Sequence, residues 1–523
     1  MKKRLPDYTI VLAVVLYLVT LFVHHNWTRD KGPERGVIKW DVISYYAYLP
    51  ATFIYHDISL EFVKDPNFKN DEKFWFQKTG TGKNIIITSM GLSYLYAPFF
   101  FMAHLLAPVF NEPKDGFHSI YQFFLVFGSL VYVVLGLLIL KSVLLRFFSV
   151  GVTAITLLLV AAGTNLYFYT THEAAMSHAY SFMLITLLLY LVIMWYDRPA
   201  YWMAALLGLV FGLIVLIRPS NIVVLIVILL WGVSNWRSLG DRVMFFMRRS
   251  PLVLLMICCF LLPWIPQFIY WKAMTGSFLY NSYEQVGSAF YFDHPHVSDF
   301  LFSYRKGWFI YTPVMFLACL GFIPLFRKLR GSFIGCLLYL VLMVYILSSW
   351  WSWWYGGSFG IRAMVDTYAV MAIPLAAVTE WTLRLKRHLG AILLSIMTFL
   401  LFLNIFQTWQ YTHGRLHWVG MTKDSYLKSF LRISPVPGYW QNLSMPDFEL
   451  ARKGIYVNYP TGDKNEDLKA MTGEEARKII EEQVRADRQL MSDIKRYSMR
   501  IEQPADSVII MVVERIWKEK TGQ

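Results

Sequence analysis

Charge is what this chain has least of. Only 16% of its 523 residues are Asp, Glu, Lys or Arg, whereas 56% are hydrophobic and the mean hydropathy is +0.43. A soluble domain rarely carries so few charges, so the composition indicates a polytopic membrane protein. Cysteine is also scarce. Cys258, Cys259, Cys319 and Cys336 all lie in apolar runs without metal-ligand spacing, which leaves them packing roles. No solenoid-type repeat, low-complexity linker or nucleotide-binding glycine loop is present. No small-residue cleavage site follows the first apolar run, Tyr8–Val23, which therefore reads as a membrane helix with a cytoplasmic N-terminus.

What is abundant fits a membrane. Nineteen Trp and thirty-two Tyr are suited to interfacial anchoring. The formal net charge of +14 would suit a nucleic-acid partner, but the basic residues sit in short loops between apolar spans, which excludes that class. Taking about 20 apolar residues per span, spans are expected near 8–23, 117–140, 148–168, 176–195, 201–217, 219–235, 251–271, 308–326, 332–350, 365–382 and 389–409. Lys141 and Arg146, then Arg198, then Arg237, Arg242, Arg248 and Arg249, then Arg327, Lys328 and Arg330, then Arg384, Lys386 and Arg387 follow the even-numbered spans. That alternation predicts an N-in, all-α bundle of about eleven transmembrane helices. Residues 85–110, interrupted by Pro98 and Pro108, are expected to lie along the interface within a first extracytoplasmic loop of about 24–116. Residues 1–411 form the expected transmembrane domain and 412–523 a small extracytoplasmic appendage. In that appendage Thr472 and Glu475 form a capping box that opens a helix through about Arg496. The apolar run 506–518 is either helix or strand.

Polar residues gather on the non-cytoplasmic side of this topology. Asp41 opens a tyrosine-rich stretch containing Tyr45 and Tyr46, and is the candidate catalytic base. Thr171–His178 adds Glu173, His172 and His178, which could position an acceptor hydroxyl or bind a divalent cation; a carboxylate favoured by a helix N-terminus is the plainer alternative. Arg218 ends one apolar run and begins another, where a lipid phosphate or a structural ion pair could hold it. Arg305 and Lys306 also run against the positive-inside trend. His294 and His296 are expected to be solvated. The run Ser349–Arg362 packs Trp354 and other aromatics ahead of two glycines and Arg362, a combination that suits a sugar stacked beside a phosphate.

These stretches resemble the fold-C (GT-C) integral membrane glycosyltransferases, most nearly the protein O-mannosyltransferase and aminoarabinose transferase branch. The likeness covers most of residues 1–410. It rests on an acid after the first helix (Asp41), juxtamembrane helices after it, a second acid after the third span (Glu173) and a basic residue between the fifth and sixth (Arg218). The segments Gly163–Tyr169, Met176–His178, Leu216–Asn221 and Trp354–Arg362 contribute to it. One departure is that Asp41 is followed by Val42, where protein mannosyltransferases carry adjacent acids. The resemblance implies a bacterial plasma-membrane enzyme that moves a sugar, with inversion, from a polyprenyl-phosphate carrier to an extracytoplasmic protein, lipid or glycan. Asp41 would act as base, Glu173 would orient the acceptor or a divalent cation, and Arg218 with Arg305, Lys306 or Arg362 would neutralise the leaving phosphate. The rival classes are a lipid-linked-sugar transporter or flippase, which would show repeat symmetry and midplane helix breaks, and a surface polysaccharide polymerase or ligase.

Overall fold

In a computed structural model, residues 4–28, 36–66, 68, 74–284, 287–462 and 471–521 are described. They form two compact units. The first comprises Met1–Gln285, Tyr311–Val344 and Arg362–Thr408; the second comprises Val286–Ile310, Tyr345–Ile361 and Trp409–Gln523.

Among the described residues, eight helices are long and apolar enough to cross a membrane: Leu5–His24, Gly91–Phe110, Ser119–Leu145, Ser177–Asp197, Ser250–Thr275, Arg330–Ser348, Arg362–Arg384 and Arg387–Thr412. Val150–Ala162, Tyr201–Ile217 and Pro219–Leu230 are apolar but shorter. Two expected spans are interrupted. Residues 148–168 stop at Gly163 and resume as Leu166–Thr171, and 308–326 contains the separate helices Val314–Leu320 and Phe322–Lys328.

The first unit has two chemically distinct ends. At one, Lys141 pairs with Asp7 at 2.6 Å, Arg146 pairs with Asp197, and Lys328 pairs with Glu380 while lying over the Phe148 ring. Arg242 covers the Tyr196 ring at 3.4 Å nearby. These are the basic loops of the sequence alternation. The opposite ends of the same helices carry His24, Ser177, Arg218 and Arg362.

Gly91–Phe110 is long enough to span, and its first residue packs against the Leu216–Ile217 backbone. Ser89, just before it, donates to the Leu216 carbonyl. Tyr132 donates to its Leu95 carbonyl at 3.1 Å, and its His104 meets Tyr121 at 2.8 Å. Tyr121 lies in the first turn of Ser119–Leu145 and Tyr132 at its centre.

Tyr201–Ile217 packs tightly on Ser250–Leu261 through Gly208 and Gly212. A Cβ at these positions would lie 2.1 Å from the Met256 carbonyl oxygen and 2.2 Å from that of Phe260. Small residues four apart are what lets two membrane helices approach to backbone contact.

In the second unit the capping box is present: Thr472 Oγ1 accepts from the Glu475 amide, and Glu475 accepts from the Thr472 amide. The helix it opens ends at Ala486 rather than near Arg496, because Asp487 caps a new helix, Arg488–Arg500, by accepting from the Gln489 and Leu490 amides. The run 506–518 is helical, within Ala505–Thr521. Ile480, Val484, Ile494, Val508, Val512 and Ile516 face one another among these three helices as their core. Trp351, Trp353 and Trp354 pack with Tyr291, Val419 and Ala451 in a second cluster of this unit. The aromatic run 349–361 is therefore largely built into the same body as the tail.

Candidate functional site

The first unit brings six of the sequence-derived candidates together: Asp41, Tyr45, Glu173, His178, Arg218 and Arg362. Local chemistry places each one. Asp41 is the first residue of the helix Asp41–Tyr46, preceded by Trp40 at φ 49°, ψ −129°, a conformation that costs a non-glycine residue and must be held by its surroundings. Arg218 sits where Tyr201–Ile217 stops, because the residue before a proline is pushed out of the helical region; it adopts φ −145°, ψ 107° ahead of Pro219. Arg362 opens a short 3-10 helix, Arg362–Thr367, two residues after Gly360 at φ +61°. A side chain at Gly360 would strain that turn.

Two opposite charges on this 3-10 helix organise the site. Arg362 Nη2 contacts Asp41 Oδ2 at 2.8 Å, and its guanidinium also lies within electrostatic reach of Glu173, Tyr45 and Tyr169. Four residues on, the fully buried Asp366 contacts Arg218 Nη1 at 3.3 Å, His178 Nδ1 at 3.1 Å and Asn221 Nδ2 at 2.8 Å. Buried polar groups of this kind persist only when paired and hydrogen-bonded. Tyr45 and Tyr283 complete the wall. Burial, and then the Asp41 charge, raise the Tyr45 phenol, while burial followed by Tyr45 and Asp41 raises Tyr283 above the usual tyrosine range.

The structure also shows what the candidates touch. Arg218 has a protein counter-ion, so the structural ion pair is present, through an acid that sequence reading passed over. Asp366 carried a readable signal: it is an acid at the start of an otherwise apolar span, and intramembrane acids are rarely idle. Tyr283 had no such signal in its loop. Tyr46 is fully buried among Tyr96, Phe100 and Phe117, with its hydroxyl donating to the Gly116 carbonyl, which makes it a packing residue. His172 stacks on Phe168 and packs against His24 at the end of the first helix. Arg305, Lys306 and Trp354 belong to the second unit. There Lys306 is buried and donates to the Ser358 carbonyl, and Arg305 lies over the Trp354 ring at 5.5 Å. His294 and His296, expected to be solvated, are partly exposed and line a cavity of that unit.

Among the described residues no three His, Cys, Asp or Glu side chains converge as a ligand set, and Asp41 already has a guanidinium against its carboxylate.

The apolar helical bundle is that of an integral membrane protein, and its likeness to a solved structure shows the GT-C fold. Among solved structures, the oligosaccharyltransferase of Archaeoglobus fulgidus in its apo form matches it with a TM-score of 0.51 at 12% sequence identity, over 83% of this chain. The chain spans 60% of the length of that structure. No family model and no curated protein matches the sequence.

Proposed function

We propose that the protein is a glycosyltransferase that moves a sugar from a polyprenyl-phosphate carrier to an extracytoplasmic acceptor, with inversion, in a bacterial plasma membrane. The observation that carries this reading is the Asp41–Arg362 pair set beside the Arg218–Asp366–His178 cluster at one polar end of a GT-C bundle. Arg362 holds the Asp41 carboxylate in place, and Glu173 orients the acceptor beside it. Asp41 takes the acceptor's hydroxyl proton as the new bond to the anomeric carbon forms and the bond to the carrier phosphate breaks. Arg218, fixed by Asp366, neutralises the departing phosphate. Residues beyond about 411 lie outside the cytoplasm in this reading.

The test is to incubate purified protein with a panel of polyprenyl-phosphate-linked sugars and follow consumption of each. One of them should be consumed, and Asp41→Asn should slow that reaction by about 10²–10⁴-fold. Asp57→Asn serves as a control, since Asp57 accepts from the Ser59 and Phe62 amides at 2.9 and 3.1 Å and shapes its own turn. If no carrier-linked sugar is consumed but the protein moves one across liposome membranes, the transporter reading replaces this one.

A further inference from the structure

The second unit contains a cavity of about 610 Å³ that takes no part in the reaction above. Its size is that of a small-molecule site. Its most informative residue is Arg305, only 8% exposed. One guanidinium nitrogen, Nη2, donates to Asn458 Oδ1 at 2.6 Å and to the Ser444 carbonyl at 3.2 Å, whereas Nη1 is buried without a hydrogen-bond partner. A buried guanidinium is costly without an anion against it. Of the acids that share the cavity wall, Asp299 acts on Arg305 through its charge, and neither Asp299 nor Asp447 hydrogen-bonds the guanidinium. Asp447 accepts from the Glu449 and Leu450 amides and pairs with Arg515 at 2.9 Å, and Asp299 pairs with His296 at 3.4 Å.

The rest of the wall has a second character. Trp353, Trp354 and Tyr456 supply aromatic surface, with His296 stacked on Trp353 at 5.9 Å and its Nε2 also unpartnered. Hydroxyl and amide side chains (Thr422, Asn458, Gln489) alternate with these rings, and Lys423 stands exposed at the edge. Aromatic planes bordered by hydrogen-bonding groups match a ring that has apolar faces and hydroxylated edges. A lipid tail would leave the polar groups unmatched, and a bare anion would leave the rings unused.

We propose that this cavity binds a sugar bearing an acidic group, carboxylate or phosphate, with the anion on the Arg305 guanidinium and the ring against the tryptophans. The cavity's lining shares no residue with the catalytic cluster, so the proposal stands whether or not the proposed transfer reaction does.

The experiment is calorimetric titration of the purified full chain with glucuronate, glucose 6-phosphate, glucose and inorganic phosphate. One acidic sugar should bind about tenfold or more tightly than both glucose and phosphate, the factor expected for a hydrogen-bonded charge. The two acidic arms distinguish a carboxylate from a phosphate. Arg305→Met should abolish that preference, Arg305→Lys should retain part of it, and Lys423→Ala should weaken it about threefold. Lys428→Ala, an exposed lysine paired with Asp424 outside the cavity, should change nothing. Asp41→Asn should bind as tightly as the unaltered protein. If Arg305→Met fails to fold, Arg305→Lys and Lys423→Ala decide. Equal affinity for glucose and the acidic sugars, phosphate binding as tightly as either, no saturation below about 10 mM, or indifference to Arg305→Lys and Lys423→Ala would overturn the proposal.

Discussion

Arg362 and Asp366 illustrate how much rests on single residues in a chain this poor in charge. Each meets its opposite from a distant part of the sequence, and because Asp366 is fully buried, removing Arg218 leaves a buried carboxylate without its counter-ion. Arg218→Ala strands the carboxylate of Asp366, which is fully buried. Breaking a pair in such a setting costs about 3–5 kcal/mol, so this variant should melt well below the unaltered protein in detergent. Asp366→Asn placed in the same chain removes the stranded charge and keeps Asn221 and His178 as neighbours; it should restore most of the loss. If the double variant is no more stable than Arg218→Ala, the coupling between these residues is absent. Arg218→Lys should keep the charge but weaken carrier binding, because an ammonium lacks the two-pronged fork that matches phosphate.

At the scale of elements, close approach and turn chemistry decide. Gly208→Leu would drive a side chain into the Met256 carbonyl, where a Cβ alone already lies 2.1 Å away. Overpacking of this kind costs about 1–3 kcal/mol or more, so the melting temperature should fall. Gly240→Ala, in the helix Trp236–Arg248 with nothing within 4 Å of a new Cβ, should be neutral or stabilise by up to about 1 kcal/mol. Equal melting of the two variants would mean that the helix pair is not in backbone contact.

The turn at His417 makes a pH-dependent prediction for the second unit. His417 Nδ1 accepts from the Gly420 amide at 2.8 Å and the Val419 amide at 3.2 Å, a role that only the unprotonated nitrogen can fill. Burial, followed by the charges of Lys306 and Arg305, lowers its pKa from 6.5 to about 4. The folded state therefore binds this proton less well than the unfolded one. The stabilisation is complete above pH 6.5 and is lost as pH falls from there toward 4, by about 1–2 kcal/mol with allowance for solvent screening. Thermal melts across that window should show the loss, and His417→Gln, which keeps an acceptor but cannot titrate, should remove it. An unchanged slope in that variant would assign the pH dependence to other groups.

For the whole molecule, the separation of basic loops from the Asp41 end predicts orientation. The positive-inside rule assigns the Lys141, Arg242 and Lys328 end to the cytoplasm and the Asp41 end to the opposite side. A cysteine at Gln503, an exposed position in the tail, should react with an impermeant thiol reagent in intact cells, and one at Arg237 only after permeabilisation. Labelling in the reverse order would invert the topology.

The helical, membrane-spanning character of the chain was legible in its sequence because hydropathy is a local sum: any run of apolar residues long enough to cross declares itself without reference to the rest of the fold. The basic loops were legible for the same reason. So were Asp41, Arg218 and Arg362, since a charge at the edge of an apolar run stands out wherever the chain goes next. What those charges touch was not local. That Asp366 meets Arg218, that Arg362 meets Asp41, and that Tyr46 is buried while Tyr45 faces the polar cluster depend on which helix ends come together. Likewise His294, His296 and Arg305 read as loop residues until the tail closes around them as one compact unit. Only the tertiary structure could decide those pairings, because desolvation and ion pairing act between side chains that lie as far apart in sequence as Asp41 and Arg362.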